Sequence, residues 1–427
     1  MLQSFRQSMT WLHTWFGLVL GYVLVVVFFF GALSVFDREI DRWAIPETRL
    51  APQPMPSFDK MLESTFRSIT APDAEDLELA KSRVVGPIPD TLPVMDWSAY
   101  TTHRDPVLTL YASFDLPNAI DPDDHIHGHK TINPSTGEVL NENQLNIGSE
   151  FFYPLHYSLH WHWKDLGYWV VGLAALMMLA ALVSGVVMHR KIFRELFTFR
   201  PRKQTQRSTL DLHNLTGVVA LPFHFMFALS GLIIFARIYF PVGETVLKQQ
   251  AEAYEAAEAQ RTGLPHDPAG VPAKMASVDA MVAEAQRRWA EKGMAGEVGF
   301  LFVNHVDDAN ATVSIYRAGT DRVTLTGEGI HFSGTTGELI REDPPATAVG
   351  SITNFVTGLH LQHFRHWLLR WLYFVGGMAG AVCIATGFIF FVEKRKKQHA
   401  KQGVSGARWV DALAVTTVTG TVIAALS

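Results

Sequence analysis

Long apolar runs without a single charge constrain this chain more than anything else in it. Residues 7–36, 166–188, 212–236 and 371–392 contain no Lys, Arg, Asp or Glu. Each reaches or exceeds the ~20 residues that span a bilayer core. A fifth run, 412–427, is shorter and rich in Thr and Ala, a marginal span. The chain of 427 residues therefore reads as an integral membrane α-helical bundle with four core transmembrane helices, a fifth run at the margin, and two long inserts.

Basic residues orient the bundle. Arg190, Lys191, Arg194, Arg200, Arg202, Lys203 and Arg207 follow the second run, against Glu195 and Asp211. Lys394, Arg395, Lys396 and Lys397 follow the fourth. The positive-inside rule predicts both segments, and the N-terminus, on the cytoplasmic side. The expected division is helix 1 at 1–36, an outside insert at 37–160, helix 2 at 161–190 and a basic loop at 191–210. Helix 3 follows at 211–236, a second outside insert at 237–360, helix 4 at 361–392, a basic segment at 393–408 and the fifth run at 409–427. The net charge of −5 averages unlike regions and points to no nucleic-acid partner. The first run is too long for a secretory signal and lacks a small-residue cleavage site, so a retained helix is expected. The single cysteine, Cys383, excludes an intrachain disulfide and a thiol metal cluster. No Cys-x-x-Cys-His occurs, so covalently attached haem is not expected.

The chain repeats itself. His13, Gly17 and Gly31 recur as His213, Gly217 and Gly231, and His160 recurs as His360, all at an offset of 200. Thr136-Gly137-Glu138 recurs as Thr336-Gly337-Glu338 at the same offset, and Ser184-Gly185 resembles Thr386-Gly387 at an offset of 202. Each unit reads helix, outside domain, helix, so two tandem repeats imply a pseudo-twofold axis along the membrane normal. Both inserts read as α+β. In the second, 278–288 has the spacing of an amphipathic helix, and 298–303, 311–316 and 322–325 have the composition of strands. In the first, 107–114 and 130–133 read as strands, and the Thr-Gly-Glu elements read as turns with glycine at positive φ. Residues 250–259 read as a solvated helix or linker.

A membrane-buried imidazole is costly without a partner, and a haem held by two histidines needs them at one depth on different helices. Depth and the repeat together select His13 with His213 near one face and His160 with His360 near the other. His156 lies one turn before His160 and shares its face, so either can serve the outer layer. Glycines on the histidine faces would admit a porphyrin, although helix packing alone would also explain them. His189, in Met-His-Arg-Lys, suits a lipid headgroup or a ligand role. His363 and His366 suit the interface beside Trp367 and Trp371. His224 stands alone near mid-membrane, close to Pro222. It can act as a further ligand, contact a propionate, or bond a carbonyl that the proline frees. In the first insert, His125, His127 and His129 alternate beside Asp123 and Asp124, a pattern that suits a metal ion or a solvated acidic loop.

Leu12-His13-Thr14-Trp15-Phe16-Gly17-Leu18 resembles the opening motif of the PepSY-associated transmembrane proteins. Leu359-His360, with Phe364 and Arg370 beyond it, resembles the start of their fourth helix, and the Thr-Gly-Glu turns resemble the end of a PepSY strand pair. The likeness spans nearly the whole chain. It implies two PepSY-like periplasmic domains on a bacterial inner-membrane protein. It also implies two b-type haems and reduction of ferric iron held by a siderophore or another ferric chelate. The run His160-Trp161-His162-Trp163 is shorter than the family pattern, which leaves the register of the outer ligand open. No Gly-rich dinucleotide fingerprint follows a strand, so electrons would come from a quinol, a flavoprotein or a soluble reductant. The alternatives are a non-redox PepSY module that binds or regulates a periplasmic peptidase, and a transporter subunit. The first has no use for histidines at matched depths, and the second expects acids inside the apolar runs.

Overall fold

A computed structural model describes residues 4–426 apart from 52–55, 64–69, 101–106, 121–123, 141–148, 162, 190–198, 202–203, 240–262, 266, 325–327 and 404–405. The helices used below are, in chain order, α1 (Phe5–Ser34), α2 (Ala74–Ala80), α3 (Ser149–Tyr157), α4 (Leu166–Met188), α5 (Thr205–Val219), α6 (Leu221–Ile234), α7 (Val278–Glu291), α8 (Ala348–Leu361), α9 (Trp367–Gln402) and α10 (Gly406–Leu426). The chain forms two compact units. One comprises Met1–Ile40, Ile147–Gly243 and Phe355–Ser427, and the other Asp41–Asn146 and Glu244–Asn354.

The first unit is the membrane bundle. Four of its helical segments, carried by α1, α4, α9 and α10, are long and apolar enough to cross a bilayer. The pair α5 and α6 makes a fifth candidate, bent by 64° at Ala220. The sequence predicts this third run as one uninterrupted span. Pro222 lacks the N–H that would continue the helical ladder, and the break falls just before it. The fifth run, expected to be marginal, forms a helix of 21 residues. Helix α9 runs past the predicted end of the fourth span to Gln402. Helix α1 packs on α4 and α9, and α5 packs on α9 while α6 packs on α4. Those are equivalent pairings if α1 corresponds to the α5–α6 pair and α4 to α9. Arg370 near the start of α9 clamps the end of α1: its guanidinium donates to the Val35 carbonyl at 2.6 Å and to both Glu39 oxygens at 2.7 and 2.8 Å.

The second unit is extramembrane and holds both inserts. β1 (Val94–Tyr100), β2 (Leu108–Asp115) and β3 (His125–Ile132) come from the first, and β4 (Val298–Asn304), β5 (Thr312–Arg317), β6 (Gly329–Ser333) and β7 (Leu339–Glu342) from the second. Each insert is α+β, but their strands join in one antiparallel sheet of order β3-β2-β1-β4-β5-β6-β7. Alternation sends Trp97, Leu110, Ile126, Leu301, Ile315 and Phe332 to one face, where Met281, Ala285 and Trp289 of α7 join them in a shared core. The joint is the β1–β4 pairing, in which Ser98 lies opposite Phe302. Residues 94–100 correspond to 298–304 at an offset of 204, so Ser98 and Phe302 are repeat equivalents, and a local pseudo-dyad passes between them. Residues 322–324, at the start of the predicted strand 322–325, form bends; the strand lies later, at β6. The helix or linker expected at 250–259 falls outside the described residues.

The Thr-Gly-Glu elements are turns, with φ of 73° at Gly137 and 75° at Gly337. Gly137 N–H donates to Asn133 at 2.8 Å and Gly337 N–H to Ser333 at 2.8 Å, so the two turns are superposable in their bonding. A Cβ in this left-handed region costs roughly 1–2 kcal/mol. Gly337→Ala should therefore speed hydrogen exchange across β6 and β7 without altering α1 or α4; unchanged exchange would show that the turn tolerates a side chain.

Candidate functional site

Histidines that enter an apolar bundle must satisfy their ring N–H, and four of them do so in the same way. His13 Nδ1 lies 2.8 Å from the Ala181 carbonyl, His213 Nδ1 2.7 Å from that of Cys383, and His156 Nδ1 2.8 Å from that of Val27. His360 Nδ1 lies 2.7 Å from Ser230 Oγ, with the Phe227 carbonyl as its backbone neighbour. A carbonyl only accepts, so the bonded Nδ1 carries the proton, and Nε2 of the neutral ring keeps its lone pair for ligation.

Glycine makes each of these contacts reachable. An added Cβ on Gly31 would stand 2.4 Å from His156 Nδ1, and one on Gly231 would stand 3.2 Å from His360 Cε1. On Gly185 it would meet His13 Cε1 at 3.2 Å, and on Gly387 His213 Cε1 at 3.3 Å. In every case the carbonyl beside the ring belongs to the residue four before the glycine: 27 and 31, 181 and 185, 227 and 231, 383 and 387; it is the acceptor for His13, His156 and His213, while His360 bonds Ser230 Oγ next to it. The i−4 carbonyl lies one turn away on the same helix face, and the missing Cβ lets the ring approach the backbone beside it.

Seated this way, the four rings form two pairs. The His13 and His213 centroids are 6.0 Å apart with planes at 82°, and those of His156 and His360 are 5.9 Å apart with planes at 30°. Two imidazoles bound through one nitrogen each, at ~2 Å, to a single metal ion have centroids roughly 6 Å apart. Both pairs fit that spacing. Along the unbroken helix α1, His13 and Gly31 are separated by about 27 Å. The pairs thus lie near opposite ends of the bundle.

The partner of His360 is His156, not the expected His160. Helix α3 ends at Tyr157, and His160 follows it in a left-handed conformation, φ 55°, with its exposed ring bonded through Nε2 to the Phe151 carbonyl at 2.6 Å. The repeat offset shifts along the chain: it is 200 at His13, 204 at β1 and His156, and 202 at Gly185. A fixed offset of 200 therefore selects His160, whereas the ring that faces His360 is that of His156. The offset returns to 200 at the Thr-Gly-Glu turn, so the signal that favours His156 lies in the four extra residues between that turn and His360.

The remaining histidines divide. His189 caps the end of α4, its N–H donating to Gly185 at 3.2 Å, and lies near enough to His13 to influence it. His363 is half-buried in the link between α8 and α9. His224 is 1% exposed, with Nε2 3.2 Å from the Gly376 carbonyl and an edge contact to Phe28 at 5.5 Å. Of the roles open to it, the carbonyl bond is the one seen, although the carbonyl is on α9 and not on the helix that Pro222 interrupts.

His125, His127 and His129 do alternate on one face of β3, but carboxylates from elsewhere reach that strand. Asp73 accepts from His129 Nδ1 at 2.6 Å, and Asp76 accepts from the His127 N–H at 3.0 Å. Burial is the largest single influence and disfavours the charged Asp73, but the bonds and charge of His129, with the charge of Lys130, together outweigh it and hold the carboxyl below its usual range. These contacts occupy the free edge of an end strand. Asp124 pairs with Arg83, and Asp123 lies outside the described residues. Among the described residues no three metal-ligating side chains converge.

The family model of the PepSY-associated TM region matches residues 10–394, a stretch containing all four seated histidines and their glycines. The chain belongs to this family. No curated protein matches the sequence. In this PepSY-associated protein Gly31 should be the least tolerant of the four seating glycines, because a Cβ there would overlap the His156 ring itself. Gly31→Ala must displace the His156 ring, at roughly 1–3 kcal/mol. It should lower the thermal midpoint in detergent, whereas Gly420→Ala, with open space at its Cβ position, should not. Equal midpoints would mean that the His156 seat contributes nothing to the bundle.

Proposed function

We propose that this protein is a membrane electron carrier that holds two b-type haems, one on His13 and His213 and one on His156 and His360. It passes electrons across the bacterial inner membrane to ferric iron in a periplasmic chelate, a ferric siderophore foremost. The observation that carries the proposal is the pair of imidazole couples, both spaced for one ion and all four rings bonded at Nδ1. Metal-bound histidines characteristically donate their second ring N–H in this manner, which fixes the tautomer and raises the basicity of the ligating nitrogen.

When bound, haem supplies reversible one-electron exchange without a change of ligand. The residues of the chain orient the rings, exclude water and keep Nε2 available. The overall reaction balances as one electron per iron: a ferric chelate gains one and becomes ferrous, and a quinol, flavoprotein or soluble reductant loses it. Ferrous iron is the softer ion, so hard oxygen ligands hold it less tightly and the metal is released. The basic segments favour the His13–His213 end as cytoplasmic and the His156–His360 end as periplasmic. A peptidase-regulating PepSY module would need no such couples.

The full-length protein, expressed with ample haem and purified in detergent, should show oxidised and dithionite-reduced haem spectra at two haems per chain. His13→Ala and His156→Ala should each remove about half, because each couple holds one group. His160→Ala should leave both. A wild-type protein without a Soret band would end the proposal. Loss on His160→Ala with retention on His156→Ala would reassign the outer couple.

A further inference from the structure

The residue before each seating glycine is a hydroxyl in three of four places: Ser184-Gly185, Ser230-Gly231 and Thr386-Gly387, against Phe30-Gly31. These hydroxyls act on the groups that the histidines use. Ser184 Oγ–H donates to the Ala181 carbonyl at 3.0 Å, the same oxygen that accepts from His13. Thr386 Oγ1–H lies 2.9 Å from the Cys383 carbonyl, which accepts from His213, and 2.7 Å from that of Val382. Ser230 stands between: it donates to Met226 at 2.5 Å and accepts from His360 Nδ1 at 2.7 Å. His156 alone bonds a carbonyl with no hydroxyl preceding its glycine.

We propose that Ser184 and Thr386 are positioning residues that set the reduction potential of the His13–His213 centre by sharing the carbonyls to which these histidines donate. The inference rests on the haem reading above. A carbonyl that serves the hydroxyl as well as the ring and its own helical N–H offers less electron density to each. The Nδ1–H bond is then weaker, the ring is less polarised towards imidazolate, and Nε2 is a poorer donor to iron. Weaker donation disfavours the ferric state, so the shared acceptors raise the potential. The low dielectric of the bundle amplifies the effect. Serine and threonine in membrane helices often bond the carbonyl three or four residues back for local reasons alone. Here the carbonyls concerned are those that receive the rings, at equivalent places in both repeats.

Spectroelectrochemical titration of the full-length protein in detergent tests this, with the wave of this centre identified by its loss in His13→Ala. Ser184→Ala and Thr386→Ala should each lower that wave, by a three- to tenfold fall in the reduction equilibrium constant, or roughly 30–60 mV at 59 mV per decade. Haem content and the other wave should not change, and the two shifts should add. Ser184→Thr and Thr386→Ser keep the hydroxyl and should restore the wild-type value. Haem bound normally with unmoved potentials in both alanine variants overturns the inference and leaves the haem reading intact. Loss of haem in both, restored by the conservative exchanges, assigns the hydroxyls a structural role and also overturns it. A wild-type protein without haem fails the underlying reading instead.

Discussion

Everything in the bundle is arranged around one difficulty: an imidazole N–H inside an apolar helical assembly needs an acceptor, and helices have already used their carbonyls. The solution is a second donor on a carbonyl that is already bonded within its helix, approached through the gap of a glycine four residues later. Carbonyl oxygens have two lone pairs and can accept twice. The approach demands close contact: a Cβ on Gly31 would collide with its ring, and one on Gly185, Gly231 or Gly387 would press on its ring, so the helices carrying the glycines must lie against those bearing the histidines. The packing of α1 on α4 and of α5 on α9 follows from His13 reaching Ala181 and His213 reaching Cys383.

The same arrangement explains why the chain is doubled. In the first repeat, His13 sits in the notch of Gly185 and His156 in that of Gly31; in the second, His213 sits in that of Gly387 and His360 in that of Gly231. Each histidine is seated by a glycine of its own repeat but faces a histidine of the other. Seating is therefore internal to a repeat, while pairing exists only between repeats. The extramembrane unit shows the same division: each insert makes its own Thr-Gly-Glu turn, and β1 of one pairs with β4 of the other.

Much of this was legible in the sequence because its signals are local. Apolar length gives the spans, alternation gives β2, β4 and β5, and positive φ at Gly137 and Gly337 follows from the turn residues. His13 and His213 were legible because the offset of 200 holds without a gap from these residues through Gly17 and Gly217 to Gly31 and Gly231. The choice between His156 and His160 stays open in the sequence, because four residues are gained between the Thr-Gly-Glu turn and the next helix, and a single offset cannot follow an insertion. The bend at Ala220 was under-read: Pro222 was visible, but composition alone does not say whether neighbouring helices straighten or accept a break. The joining of two α+β inserts into one sheet depends on β1 and β4 meeting edge to edge. That is a long-range pairing, and no local pattern encodes it.

Where the two repeats differ, the difference concentrates around α6. Position 24 of the first repeat is a buried leucine, and its counterpart is His224, which bonds the Gly376 carbonyl of α9. Helix α1 is continuous, and its counterpart is broken at Ala220. The two departures are linked. An unbroken third span would carry residues 213 and 231 on one line, as α1 carries 13 and 31. A span bent by 64° must find another way to keep both Gly231 against His360 and His213 against Gly387. The bond from His224 to α9, four residues beyond the bend, fixes the start of α6 against a helix that also carries Gly387. His224 thereby ties α6 to α9. It is the tether by which a broken helix holds the same two contacts that its continuous counterpart holds by geometry alone.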